Sequence, residues 1–204
     1  MHRRSVRTAL GMAVLIGFGL STPPAQAGYV VTLTQQDMGG VNSVVATGSG
    51  PIDLTGLTIN ISGGDNARMF PSAAVILTGP TSGQIDAYTG LTTGPTDFGS
   101  GGEVFASSGN GDLVGVAGAA GDLAVPTGYT SGNPLSDTST YTNQTFATLG
   151  VTPGTYEWTW GTGPNQNFTL DVVVPEPSSL LLLAGALAGL VMLLGVGSRS
   201  AAAA

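Results

Sequence analysis

Glu103 and Glu157 are the only glutamates between residues 28 and 173. Two carboxyl groups at the right separation are all that glycoside hydrolysis requires. Each glutamate sits opposite an apolar set in an alternating stretch, EVFAS (103–107) and TYEWTW (155–160), so each is expected to face solvent. The turns Gly63-Gly64-Asp65-Asn66 and Gly109-Asn110-Gly111-Asp112 offer oxygen ligands of the kind calcium takes, with Asp65 and Asp112 as the carboxylates. Neither turn has the spacing of a known calcium loop, and Asn, Asp and Gly form such turns without metal. Tyr156, Trp158 and Trp160 share one strand face. Such a row can stack on sugar rings, and it is equally the pattern of a sheet core.

What the chain lacks is as informative. It has no cysteine and no lysine, and its one histidine, His2, stands in the first few residues. Without histidine in the body there is no Ser-His-Asp triad and no His- or Cys-ligated zinc. A phosphate-binding loop of the P-loop type needs a lysine and is excluded, and no cofactor is expected. Residues 28–173 carry eleven Asp or Glu against Arg68 alone, a net of −10. Nucleic acid is therefore not an expected partner, because it binds through Lys and Arg.

The elements that would position these residues read as β throughout. Alternating runs appear at 29–35, 42–47, 57–62, 84–90, 103–107, 112–118, 155–160 and 167–174, with glycine-rich breaks between them. In LTINIS (57–62) the alternation directs Leu57, Ile59 and Ile61 inward. AAVILTG (73–79) is a continuous apolar run, the mark of a strand buried on both faces. Ser108–Gly111 reads as a turn, 161–165 as a hairpin loop, and GPTDFGSGG (94–102) as an exposed loop. The expected fold is all-β, an antiparallel, jelly-roll-like β-sandwich over residues 28–173. About 146 residues suffice for a core without disulfides.

Both ends differ from this body. MHRRSVR, an apolar stretch and STPPAQA form a signal peptide over 1–27, with Ala25 and Ala27 as the small residues before a cut at Gly28 by signal peptidase. A retained N-terminal anchor is the other reading, but the apolar stretch is short for a span. The C-terminal segment 174–204 opens with Val174-Pro175-Glu176-Pro177. Residues 180–197 carry no charge and, as a helix, would extend about 27 Å, near the ~30 Å of a bilayer core. The prolines cannot enter that helix, and Arg199 follows it on the side where cations stay cytoplasmic. Gly185 and Gly189 have the spacing of a helix-dimerising pair, and glycine is common in membrane helices regardless. Asn60, Asn143 and Asn167 begin glycosylation triplets, unsurprising in so Asn- and Thr-rich a chain.

Val174-Pro175-Glu176-Pro177, the apolar run and Arg199 together resemble the PEP-CTERM sorting signal of Gram-negative bacteria. The segment 125–161 is similar to one that recurs in the bodies of such proteins. The resemblance covers about the last 27 residues, with one arginine where these tails usually cluster several, and with a terminal SAAAA. It implies recognition of Pro175, Glu176 and Pro177 by exosortase, transient anchoring in the inner membrane, and release to a cell surface or matrix rich in exopolysaccharide. The expected function is thus that of an exported, non-enzymatic surface protein. The alternatives are a carbohydrate- or calcium-binding module and a carboxylate glycosidase.

Overall fold

The computed structural model describes residues 28–37 and 39–174. Ala25 and Ala27 of the leader lie outside the described residues, as do Pro175, Glu176, Pro177, the span 180–197 and Arg199. Among the described residues no helix is long and apolar enough to cross a membrane.

Thirteen strands run through these residues. The first seven are β1 (Tyr29–Asp37), β2 (Asn42–Pro51), β3 (Thr58–Asp65), β4 (Arg68–Phe70), β5 (Val75–Thr78), β6 (Gly83–Thr89) and β7 (Val104–Phe105). The others are β8 (Ser108–Gly111), β9 (Val114–Ala117), β10 (Asp122–Pro126), β11 (Pro134–Thr142), β12 (Gly154–Thr159) and β13 (Asn167–Val173). They form two sheets, in the orders β12-β13-β1-β2-β11-β8 and β3-β6-β10-β9-β5-β4-β7. One apolar core lies between them, with Tyr29, Leu33, Ile76, Leu123, Trp158 and Phe168 among its buried members. This is the expected all-β, two-layer body. The pairing is antiparallel except that β1 runs parallel to β13, Tyr29 against Phe168 through Thr34 against Val173.

Alternation reads correctly where apolar residues fill every second position. β1 buries Tyr29, Val31 and Leu33. β12 and β13 form the expected hairpin, Trp158 opposite Phe168. β5 is buried on both faces, Ile76 in the main core and Leu77 in a separate cluster with Ala67, Ile85, Ala87 and Leu113.

Four expectations are corrected. Ile59 and Ile61 do not share an inward face. Both are exposed, because the ladder slips between them: Ile59 opposes Tyr88, Ile61 opposes Ala87, and Asn60 is left over. One extra residue in a strand reverses its faces, and β3 is an edge strand with no further strand paired outside it among the described residues. Ser108–Gly111 is not a turn between neighbours but β8, paired with β11 in the six-stranded sheet. The strand expected at 103–107 shrinks to β7, leaving Glu103 just outside it. The 94–102 loop is not wholly exposed, since Phe98 is fully buried against the core.

The seven-stranded sheet is strongly curled. Only Asn66 and Ala67 join β3 to β4, yet four strands lie between these two in the sheet. Laid flat, five strand spacings of about 4.8 Å would separate them by roughly 24 Å. Three Cα–Cα steps from Asp65 to Arg68 reach at most about 11 Å. The sheet must fold round until its flanks meet at that end, and its face away from the main core becomes concave. Leu77, Ile85 and Leu113 are buried on that face in a cluster with Ala67 and Ala87.

Candidate functional site

The most unusual chemistry among the described residues is a carboxylic acid inside the core. Asp137 lies on β11 between Gly48 of β2 and Gly111 of β8, and faces the opposite sheet. Its side chain is 3% exposed. The Tyr29 hydroxyl from β1 donates to Asp137 Oδ2, and Thr78 Oγ1 from β5 donates to the same oxygen at 2.9 Å. Asp137 Oδ1 has no hydrogen-bond partner among the described residues. A buried charge with one oxygen unserved is unfavourable, and burial pushes the carboxyl up to about 6 despite the two hydroxyls. Burial likewise raises the Tyr29 phenol well above its usual range, and the neighbouring Asp137 charge adds to that.

The space is made by a missing side chain. A Cβ on Gly48 would lie 2.9 Å from both Asp137 carboxyl oxygens. Two residues along, Ser139 Oγ accepts from Gly79 N at 2.8 Å and donates to Gly79 O at 3.0 Å, across the two sheets. Tyr141 continues the inward row, its hydroxyl buried without a partner among the described residues and its ionisation raised by burial. The cluster is a polar seam where the sheets approach at one side. It bonds the sheets to each other. Hydrophobic patterning misses it because its inward positions are Leu135, Asp137, Ser139 and Tyr141, half of them polar.

The carboxylates that the sequence singles out are not brought together. Glu103 meets Arg68 Nε at 3.1 Å beside the seven-stranded sheet. Glu157 is exposed on β12, at the edge of the other sheet, and accepts from Asn167 Nδ2 at 2.9 Å. Asp65 pairs with Arg68 and accepts from Asn66 N at 2.8 Å. Asp112 accepts from Ser136 N at 2.9 Å, closing the β8–β9 connection onto β11. Each of the four thus holds the fold locally, and no group of three metal-ligating side chains forms among the described residues. Two further acids are held below the usual carboxylate range by local donors, Asp53 first by Thr55 and Asp86 first by the Ser62 hydroxyl.

The aromatic row belongs to the core. Trp158 is 1% exposed and Trp160 5% exposed, so neither ring offers a face to a sugar. Their Nε1 groups donate to Pro95 O at 2.9 Å and Asp53 O at 2.7 Å, which satisfies each buried donor. Tyr156 is half-buried and packs on Phe98 with ring centroids 6.0 Å apart. These two indoles should give a blue-shifted emission that neither soluble glycans nor acrylamide quench strongly. Quenching of the kind free tryptophan shows would place at least one ring at the surface.

The chain matches no protein-family model, and no curated protein or solved structure is similar enough to lend it a function.

Proposed function

We propose that the protein is an exported, non-enzymatic surface protein that is held in the inner membrane by its C-terminal segment and released by exosortase at Pro175-Glu176-Pro177. The observation that carries this reading is the order of segments along one chain: a leader ending Ala25-Gln26-Ala27, a β body, Val174-Pro175-Glu176-Pro177, an uncharged run over 180–197, and Arg199. Two features of the body support it. β1 begins at Tyr29 and β13 ends at Val173, so cuts after Ala27 and near Pro175 interrupt none of the described strands. Gly28 fits its place as a mature first residue, its nitrogen donating to Asn165 Oδ1 at 3.0 Å. A Cβ there would collide with Asn167. The body is a two-sheet scaffold, jelly-roll-like in that the chain crosses repeatedly between sheets. It would be released into an exopolysaccharide layer as a structural component.

The test is the intact mass of the wild type and of a Glu176→Ala variant recovered from the extracellular and membrane fractions. The expected wild-type product starts at Gly28, lacks residues 180–197 and is extracellular, while the variant stays in the membrane at full C-terminal length. Retention of 180–197 in both, with both in the membrane, would make the tail a plain anchor and refute the sorting role.

A further inference from the structure

One row of directly paired residues crosses all seven strands on the concave face: Ile61, Ala87, Ala124, Gly115, Leu77, Arg68 and Phe105. Its ends are large and its centre is small. Ile61 is 64% exposed and Phe105 52% exposed, while Gly115 and the two alanines form the floor. The result is a groove of about 210 Å³ along the strands, walled by Ile61 and Ile85 on one side and Val75 and Leu77 on the other.

The lining narrows the ligand. No aromatic ring is among the residues lining the groove, and its floor carries no polar side chain, so a sugar ring lying on that floor has nothing to stack on and no side chain to hydrogen-bond. An extended alkyl chain can lie along this apolar floor. The charges are sided. Arg68 is engaged by both Asp65 and Glu103. Asp122 is half-buried in the groove wall, on the same face as Ala124, with no hydrogen-bond partner among the described residues. Asp65, Glu103 and Asp122 against Arg68 leave a net of −2 around the groove. An anionic acyl chain is repelled, and a cationic end is attracted.

We propose that this groove binds an aliphatic ammonium ion, its alkyl chain lying on Ala87, Gly115 and Ala124 and its charged end at Asp122. The test is photoaffinity labelling of the full-length chain with an alkyl-diazirine ammonium probe, the labelled peptides being located by mass spectrometry. Hexylammonium, hexanol and hexanoate serve as competitors of equal chain length. Labelling is expected on peptides containing Ile61, Leu77, Ala87 and Ala124, and hexylammonium should compete at concentrations about tenfold below hexanol, with hexanoate weaker still. Asp122→Asn should abolish the preference for ammonium over hexanol, and Asp171→Asn, on the other sheet, should not change it. Ala124→Leu, and Ala117→Leu should the first misfold by circular dichroism, should remove labelling by filling the groove. Labelling spread over acidic surface peptides, equal competition by hexylammonium and hexanoate, or labelling that survives both filling variants in folded protein would overturn the proposal.

Discussion

Asp137→Asn should remove a fall in stability between pH 4 and pH 7 that the wild type shows. In the unfolded chain an aspartate ionises near pH 3.9. In the fold Asp137 is pushed up to about 6, chiefly because it is desolvated. Its pKa is therefore raised on folding, and the sign follows. Below pH 4 the carboxyl is neutral in both states and imposes nothing. Between pH 4 and 6 the folded state keeps a proton that the unfolded state has lost, so stability falls as pH rises. Above pH 6 both states are ionised and the loss is complete. A shift of about two units corresponds to about 3 kcal/mol, a melting-temperature change of roughly 10 °C for a domain of this size. Other acids add slopes of their own, Asp53 and Asp86 in the opposite sense, so the quantity to measure is the wild-type-minus-Asn difference by urea unfolding at each pH. The ionisable groups facing Asp137 are Tyr29 of β1, Tyr141 of β11 and Asp112 of the β8–β9 connection. Both phenols are raised and stay protonated throughout this range. A difference flat with pH would mean that Asp137 is ionised in the fold from pH 4 upward, and the seam would then have to supply a donor to Oδ1.

That seam shows where sequence reading succeeds and where it stops. Period-two apolarity locates β1, β12 and β13 because one face of each is largely apolar. β11 is as long as β1, yet the same pattern does not reveal it, since Asp137 and Ser139 occupy inward positions that hydrophobicity assigns to solvent. Their cost is met by partners from other strands and turns, Tyr29, Thr78 and Gly79, which lie 108, 59 and 60 residues away in sequence. Local patterns contain no such information. Ile59 and Ile61 fail for a different reason: a single bulged residue, Asn60, is invisible in a string that alternates cleanly. Phe98, in a stretch otherwise dominated by glycine and polar residues, enters the core because β12 leaves room beside Tyr156. The groove could not be read at all. Its floor is one alanine or glycine from each of three strands, and the pattern exists only across the sheet.

Gly115→Ala is expected to destabilise the body by about 3 kcal/mol or more, at the upper end for adding one carbon to a packed site. A glycine inside a strand is ordinarily a weakness that alanine repairs. Here the backbone forbids it. Gly115 pairs with Ala124 on one side and Leu77 on the other, at the middle of the curled sheet. A Cβ on its concave side would fall on the Ile76 carbonyl oxygen and lie 2.6 Å from Leu77 Cα. Both are main-chain atoms of β5, so no side chain can turn aside to make room. To admit the methyl group, β5 must move off β9, breaking their ladder and shifting Ile76 and Leu77 out of the two clusters they join. The curl, the second cluster and the groove all depend on that close approach. Gly63→Ala is the matched control. It lies in the same sheet, on edge strand β3, with no atom within 4 Å of the place its methyl group would take, and it should change stability by no more than about 0.5 kcal/mol. Urea midpoints for the two variants decide the matter. If Gly115→Ala is as mild as Gly63→Ala, β9 and β5 are not creased against each other at this point, and the sheet must bring Asp65 to Arg68 by twisting elsewhere. If Gly115→Ala unfolds far more readily and also loses alkyl-ammonium labelling before it loses its secondary structure, one missing side chain sets both the curvature of the sheet and the depth of its groove.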